Sequence, residues 1–191
     1  EIACCLVGSE MCVRDSYRAM DKLGSAGVSA IAAEAKVDER YLKEWLASNA
    51  ARGYVSYDAE ADKFSLTPEQ ASVFARESEP TCIQGLIQGV VGQFVKEDVA
   101  IDVFKTGRGR PWGEHHECCF CGTERFFRPA YAGHLLDEWI PALDGVEDKL
   151  KLGAKVADIG CGLGTSSILM AEQFPNSCLL YTSPSPRDNT L

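Results

Sequence analysis

The chain has 191 residues with 19 basic and 28 acidic side chains, a net charge of −9. That balance argues against a nucleic-acid partner held by bulk electrostatics, which needs clustered Lys and Arg, while 46% hydrophobic and 25% charged residues exclude a disordered chain. No stretch approaches the roughly 20 apolar residues of a membrane span, and no basic-then-apolar leader opens the sequence. A cytoplasmic protein is therefore expected, its nine cysteines reduced. A start at Glu1 in place of Met adds the expectation of a fragment.

From Met11 to Leu23 the apolar residues Met11, Val13, Tyr17, Met20 and Leu23 recur at roughly helical spacing, and Gly24 stops the run. Ser29 is expected to cap a short second helix ending near Ala35, and Asp38 a third that closes at Gly53. Within the third, Leu42, Trp45 and Leu46 share one face at i, i+3 and i+4. Residues 54–57 and 63–66 alternate around a turn rich in Asp, Glu and Ala, which predicts a two-stranded wing. Three helices and a hairpin in this order predict a winged helix-turn-helix over residues 1–80.

Such a unit can place its third helix in a major groove. Here that helix carries Arg40, Lys43 and Arg52 against Asp38, Glu39 and Glu44, and residues 1–80 hold nine basic against fourteen acidic side chains, a net −5. A field of that sign slows approach to DNA. A structural role is expected, with a homodimer formed through this region and no nucleic-acid partner.

Thr67 and Pro68 supply the cap and first residue of another helix, with Val73 and Phe74 on its apolar face. Residues 81–104 read as mostly helical, with Ile83, Leu86, Ile87, Val90, Val91, Phe94 and Val95 buried on one side. Gly85, Gly89 and Gly92 weaken that helix but permit close approach of a neighbour. A loop at 105–113 leads into Glu114-His-His-Glu-Cys-Cys-Phe-Cys121, the densest chemistry in the chain. Zinc prefers such ligands, yet the spacing is poor: no second elbow exists apart from the distant Cys4, Cys5 and Cys12. No metal is expected; the stretch is either a loop with chance thiols or the source of a proton-accepting histidine, His115 or His116.

Residues 123–139 are expected to be helical and broken near Pro129, with Phe126, Phe127, Tyr131, Leu135, Leu136 and Trp139 mostly in a core. A linker at 141–145 precedes a short helix, Val146 to Leu152. Then Lys155-Val-Ala-Asp-Ile159 reads as a strand, Gly160-Cys-Gly-Leu-Gly164 as a glycine turn and Ser166 to Phe174 as an amphipathic helix. That is the opening of a nucleotide-binding βαβ unit, in which small residues let backbone approach a ligand at the strand's carboxyl end. The pattern is D-x-G-x-G-x-G, with the third glycine one residue earlier than in a dinucleotide fingerprint. Asp158 stands where it can meet a polar or cationic ligand.

The tail from Cys178 to Asp188 resembles one reading frame of a transposase-type sequencing adapter, with Asn189-Thr190-Leu191 as index bases. Native sequence is then expected to stop near Ser177, with 178–191 excluded as an artefact.

The D-x-G-x-G-x-G pattern resembles motif I of class I S-adenosylmethionine-dependent methyltransferases. With the winged helix ahead of it, and with Gly-Tyr-Val at 53–55, Gly-Thr-Glu-Arg-Phe-Phe-Arg-Pro at 122–129, Glu-Trp-Ile-Pro-Ala-Leu at 138–143 and Val-Ala-Asp-Ile-Gly-Cys-Gly at 156–162, the chain is similar to methyltransferases carrying an N-terminal winged-helix domain. Leu163 departs from relatives with His at that place. The resemblance implies a mainly α chain with a small β wing, a helical linker or substrate-covering region at 81–152, and at 153–177 the first β-loop-α unit of a truncated α/β Rossmann-like domain. It implies S-adenosyl-L-methionine as cofactor, cradled by Asp158, Gly160, Cys161, Gly162, Gly164 and Thr165, and a small-molecule methyl acceptor. Tyr131, His115 and His116 are candidates for the substrate side. Without the second strand, whose acidic end normally holds the cofactor ribose, the fragment is expected to be inactive. The alternative is a winged-helix transcriptional regulator whose ligand domain shares a glycine turn.

Overall fold

The computed structural model describes residues 2–182, with side chains from Val13 onward. Met11, the distant Cys4, Cys5 and Cys12, and the tail beyond Thr182 lie outside the described side chains. The chain divides into two compact units, 1–87 and 88–191.

In the first unit, α1 (Ile2–Leu23), α2 (Val28–Ala35) and α3 (Glu39–Ala51) precede strands β1 (Ser56–Asp58) and β2 (Lys63–Ser65). The strands pair antiparallel, with Tyr57 opposite Phe64. Ala26 adds a further rung on the other edge of β2 by exchanging both backbone hydrogen bonds with Phe64, a single-residue contact with no periodicity to announce it. Asp38 caps α3 as expected, its carboxylate accepting from the amides of Arg40 and Tyr41 at 3.0 and 3.2 Å. Ser29 does not cap α2. The N-cap is Gly27, without a side-chain bond, and the Ser29 hydroxyl donates instead to Glu39 at 2.6 Å, where a charged acceptor outcompetes the helix end. Thr67 and Gln70 form a reciprocal capping box that starts α4 (Pro68–Phe74).

The core of this unit gathers Met20, Ile31, Leu42, Leu46, Val55 and Phe64, with Trp45 partly buried against it. Tyr17 sits among these residues, stacked on Phe74 and edge-on to Trp45, each with ring centroids 4.9 Å away. Aromatic pairs at such separations contribute about 0.5–1.5 kcal/mol beyond area burial.

Residues 81–104 form two helices, α5 (Gln84–Phe94) and α6 (Glu97–Thr106), separated at Val95 and Lys96. The expected burial of their large apolar side chains is not what the structure has. Leu86, Ile87, Val90 and Phe94 are exposed, Phe94 by 66%, whereas Gly85 and Gly92 are buried. Close packing decides this: a Cβ on Gly92 would lie 2.8 Å from the Cys119 amide nitrogen, so the glycine side of α5 must face inward. The large residues four apart from one another are thereby turned out.

In the second unit, a 3-10 turn (Trp112–Glu114) leads into α7 (Glu117–Ala130), which runs through Pro129 and continues as a π-helical segment (Tyr131–Trp139). The expected break near Pro129 is thus a change of winding. Proline has no N–H to close an ordinary turn, and the wider i to i−5 pattern takes over, as in the bond from the Ile140 amide to the Leu135 carbonyl. Then come α8 (Val146–Leu152), β3 (Lys155–Ile159), α9 (Thr165–Gln173) and β4 (Cys178–Thr182). Ile140, Leu150 and Phe174 form the core here, with Leu135, Leu136, Val156 and Met170 around them. Phe127 and Trp139, expected in a core, are exposed.

β4 pairs parallel to β3, Lys155 opposite Cys178 through Ile159 opposite Thr182. The sequence leads one to expect a lone strand at this point, but the open edge of β3 offers unpaired backbone groups, and Leu179-Leu180-Tyr181 has the propensity to fill it. Ile159 and Leu180, on one face of this two-stranded sheet, and Tyr181, on the other, are exposed by 79, 64 and 67%.

Tyr17 is expected to make the first unit sensitive to alkali. Its hydroxyl donates to Asn49 Oδ1 at 3.3 Å, and burial, with a contribution from Tyr54, pushes the phenol from 10.0 up to about 12. The folded state holds the proton more tightly than the unfolded chain, so this stabilisation is complete below about pH 10 and is lost as pH rises toward 12. We expect the unfolding temperature, followed by Trp45 fluorescence, to fall more steeply across that window in the parent than in Tyr17→Phe. Equal slopes would contradict the assignment.

Candidate functional site

The chain turns sharply between β3 and α9, with Gly160, Gly162 and Gly164 all at positive φ. Gly164, at φ 86° and ψ 12°, is the N-cap of α9 and uses no side chain to do it. A Cβ there would meet open space, so the demand for glycine comes from the backbone angle alone. The same holds on the outer side of Gly160 and Gly162, where nothing lies within 4 Å of a built Cβ. The loop therefore presents bare backbone on one side.

Polar ties fix it on the other. Asp158 Oδ2 accepts from the Ser166 and Ser167 hydroxyls at 2.8 and 2.7 Å, joining the end of β3 to the first turn of α9. The amides of Gly160 and Cys161 both donate to the Thr182 carbonyl, at 3.0 and 3.1 Å. Thr165 Oγ1 donates to Glu124 Oε1 on α7 at 3.0 Å.

A cavity of about 460 Å³ opens between this loop and α7. Gly160, Cys161, Gly162, Leu163 and Thr165 form one wall. Trp112, Phe120, Phe127 and Tyr131 give the other its aromatic surface, with Glu117, Cys121, Thr123 and Glu124 between them. The rings form a ladder, Phe127 stacked on Tyr131 with centroids 6.1 Å apart and Tyr131 edge-on to Trp139 at 6.0 Å. Such walls favour flat or cationic groups.

Of the residues singled out in the sequence, Gly160, Cys161, Gly162, Thr165 and Tyr131 line this cavity, whereas Asp158, Gly164, His115 and His116 do not. Asp158 spends one oxygen on α9. His115 Nδ1 lies 2.9 Å from the Trp112 carbonyl, and His116 caps α7, its Nδ1 accepting from the Cys118 amide at 3.2 Å. The expected loop of thiols is a helix start. Cys118 and Cys119 are buried in it, and burial pushes the Cys119 thiol up, against the opposing influences of Arg110 and a 3.1 Å bond from Gln93. A thiol so placed is a poor nucleophile. Among the described residues no three His, Cys, Asp or Glu side chains converge on a metal-sized site. Glu124 and Glu117 escape a sequence reading, because a carboxylate on a helix gives no sign of facing a cavity until its neighbours across the fold are known.

Residues 7–76 match the family model described as an Rv2258c-like winged HTH domain. The first unit is a winged helix-turn-helix domain. No curated protein sequence matches the chain significantly, but solved structures do. Human N-acetylserotonin methyltransferase in complex with SAM aligns with a TM-score of 0.59 at 12% identity, over 94% of this chain and 55% of that one. PigF with SAH aligns at 0.54 and 16% identity, over 90 and 54%. An O-methyltransferase family protein from Burkholderia thailandensis aligns at 0.52 and 16%, over 91 and 53%. The chain has the methyltransferase fold over the part that it spans, about half the length of the structures it matches. Among the described residues no helix is long and apolar enough to cross a membrane.

Gly164→Ala forces a left-handed conformation on an L-residue, at a cost of roughly 1–2 kcal/mol. The expected result is a lower urea midpoint for the second unit, with Gly164→Asn losing less, because Asn tolerates that region better. An unchanged midpoint for Gly164→Ala would show that the turn does not need its angle.

Proposed function

We propose that the chain is the amino-terminal part of a cytoplasmic S-adenosylmethionine-dependent methyltransferase that acts on a small-molecule acceptor. The observation that carries this proposal is the glycine loop between β3 and α9, which lines the cavity with exposed backbone. Its fit to the cofactor rests on the open space over Gly160 and Gly162 and on the aromatic wall opposite, which suits a sulfonium cation. Gly160, Cys161, Gly162 and Thr165 would hold the cofactor, with Gly164 shaping the loop and Asp158 bracing it from behind. Cys161 serves as a small residue in a tight turn. When bound, the cofactor supplies an electrophilic methyl group. The protein's part is to set an acceptor in line with it and exclude water; Phe120, Phe127 and Tyr131 provide the surface for that. Tyr131 is the substrate-side candidate, since its ring reaches the cavity while both histidines are engaged elsewhere.

A homodimer through the winged-helix region belongs to the same proposal, supported by the exposed Tyr41, Tyr54 and Tyr57 of that unit. Sedimentation of the chain at micromolar concentration is expected to give a dimer mass, and a monomer would contradict it.

The present chain is proposed to be inactive. The described residues of β4 carry no carboxylate, so the usual acidic partner of a cofactor ribose is not among them. Calorimetric titration with S-adenosylmethionine is expected to show no micromolar binding and no turnover. Micromolar affinity would overturn the inactivity proposal.

A further inference from the structure

The glycine loop has one attachment to the aromatic wall that the functional proposal leaves unexplained. Thr165, the first residue of α9, donates its hydroxyl to Glu124, 41 positions earlier on α7. Glu124 is only 15% exposed and is gripped on its own helix by Arg128, whose Nε donates to Oε1 at 2.7 Å and whose second nitrogen meets Oε2. Both Glu124 and Thr165 line the cavity.

We propose that Glu124 is a positioning residue of the ligand cavity, holding the glycine loop at a fixed spacing from the aromatic wall through Thr165. α9 also packs on the helix that continues α7, but farther along, where Met170 and Phe174 meet Leu135 and Leu136; the Thr165 bond acts at the loop itself. Its glycines make no side-chain contact, and its remaining ties, to Asp158 and to the Thr182 carbonyl, join it to β3, α9 and β4 rather than to α7. Arg128 fixes the carboxylate plane so that one oxygen faces Thr165. There is a chemical consequence for the ligand. With its proton committed to Glu124, the Thr165 hydroxyl is left as an acceptor, so the ligand group that meets it is a donor, such as an amino or hydroxyl group. This inference rests on the methyltransferase proposal only for the identity of that ligand.

Amide hydrogen exchange on the ligand-free chain tests the tie itself. Glu124→Ala and Thr165→Val are each expected to speed exchange across residues 160–165 by about five- to tenfold, the factor that corresponds to a net hydrogen bond near 1 kcal/mol. Glu124→Gln keeps an acceptor oxygen and is expected to stay near the parent rate, as is Thr165→Ser. The double variant Glu124→Ala/Thr165→Val is expected to match either single one, since both remove the same bond. Unchanged exchange in Glu124→Ala, or fully additive effects in the double variant, would overturn the proposal. Exchange in α3, in the other unit, reports any general loss of structure, and should Glu124→Ala fail to fold, Thr165→Val against Thr165→Ser decides. Adding S-adenosylhomocysteine at millimolar concentration separates the two ideas: no slowing of loop exchange in the parent would count against the cofactor, while the ligand-free comparison would still decide the role of Glu124.

Discussion

A loop made of Gly160, Cys161, Gly162, Leu163 and Gly164 has almost nothing with which to pack, and hydrogen bonds from its two ends set where it lies. Asp158 is the centre of this arrangement. Its carboxylate joins the end of β3 to Ser166 and Ser167 in the first turn of α9, closing the loop between strand and helix. The carbonyl of Thr182 gathers the next two amides. Remove these ties and the positive φ angles at three glycines have no reason to persist, because glycine loses more backbone entropy on ordering than any other residue.

The opposite wall is built by a different device. Pro129 has no amide proton, and beyond it the helix unwinds to the wider π pattern. Phe127, ahead of the change, and Tyr131, where it begins, line the cavity, and beyond them Leu135 and Leu136 pack on Ile140 and Phe174 in the core. π-helical turns recur at functional sites for this reason: they shift the face of a helix part-way along it. Close approach at Gly92 and Cys119 then anchors α7 against α5 without any large side chain between them.

Much of the first unit was legible in the sequence, because its signals are local. Asp38 and Thr67 cap helices where a short polar side chain precedes an apolar run, and Leu42 and Leu46 are buried at the spacing that placed them on one face. β3, α9 and the loop between them were legible for the same reason. The misreadings share a different cause. Ser29, the large apolar residues of α5 and the rings on either side of Pro129 each had two competing partners, and only the tertiary arrangement decides between them. A hydrophobic period says that one face is buried, yet at α5 the small residues took the inside. Glu124 gave no signal at all, since its meaning depends on a threonine 41 residues away.

The central claim is that the cavity between α7 and the glycine loop receives the cofactor. Amide chemical shifts recorded while S-adenosylhomocysteine is raised into the millimolar range test it most directly. We expect shifts confined to residues 160–166 and to the cavity face of α7, with residues of the winged-helix domain unmoved. Absence of any shift at the loop, or shifts concentrated on α3 and the wing, would contradict it.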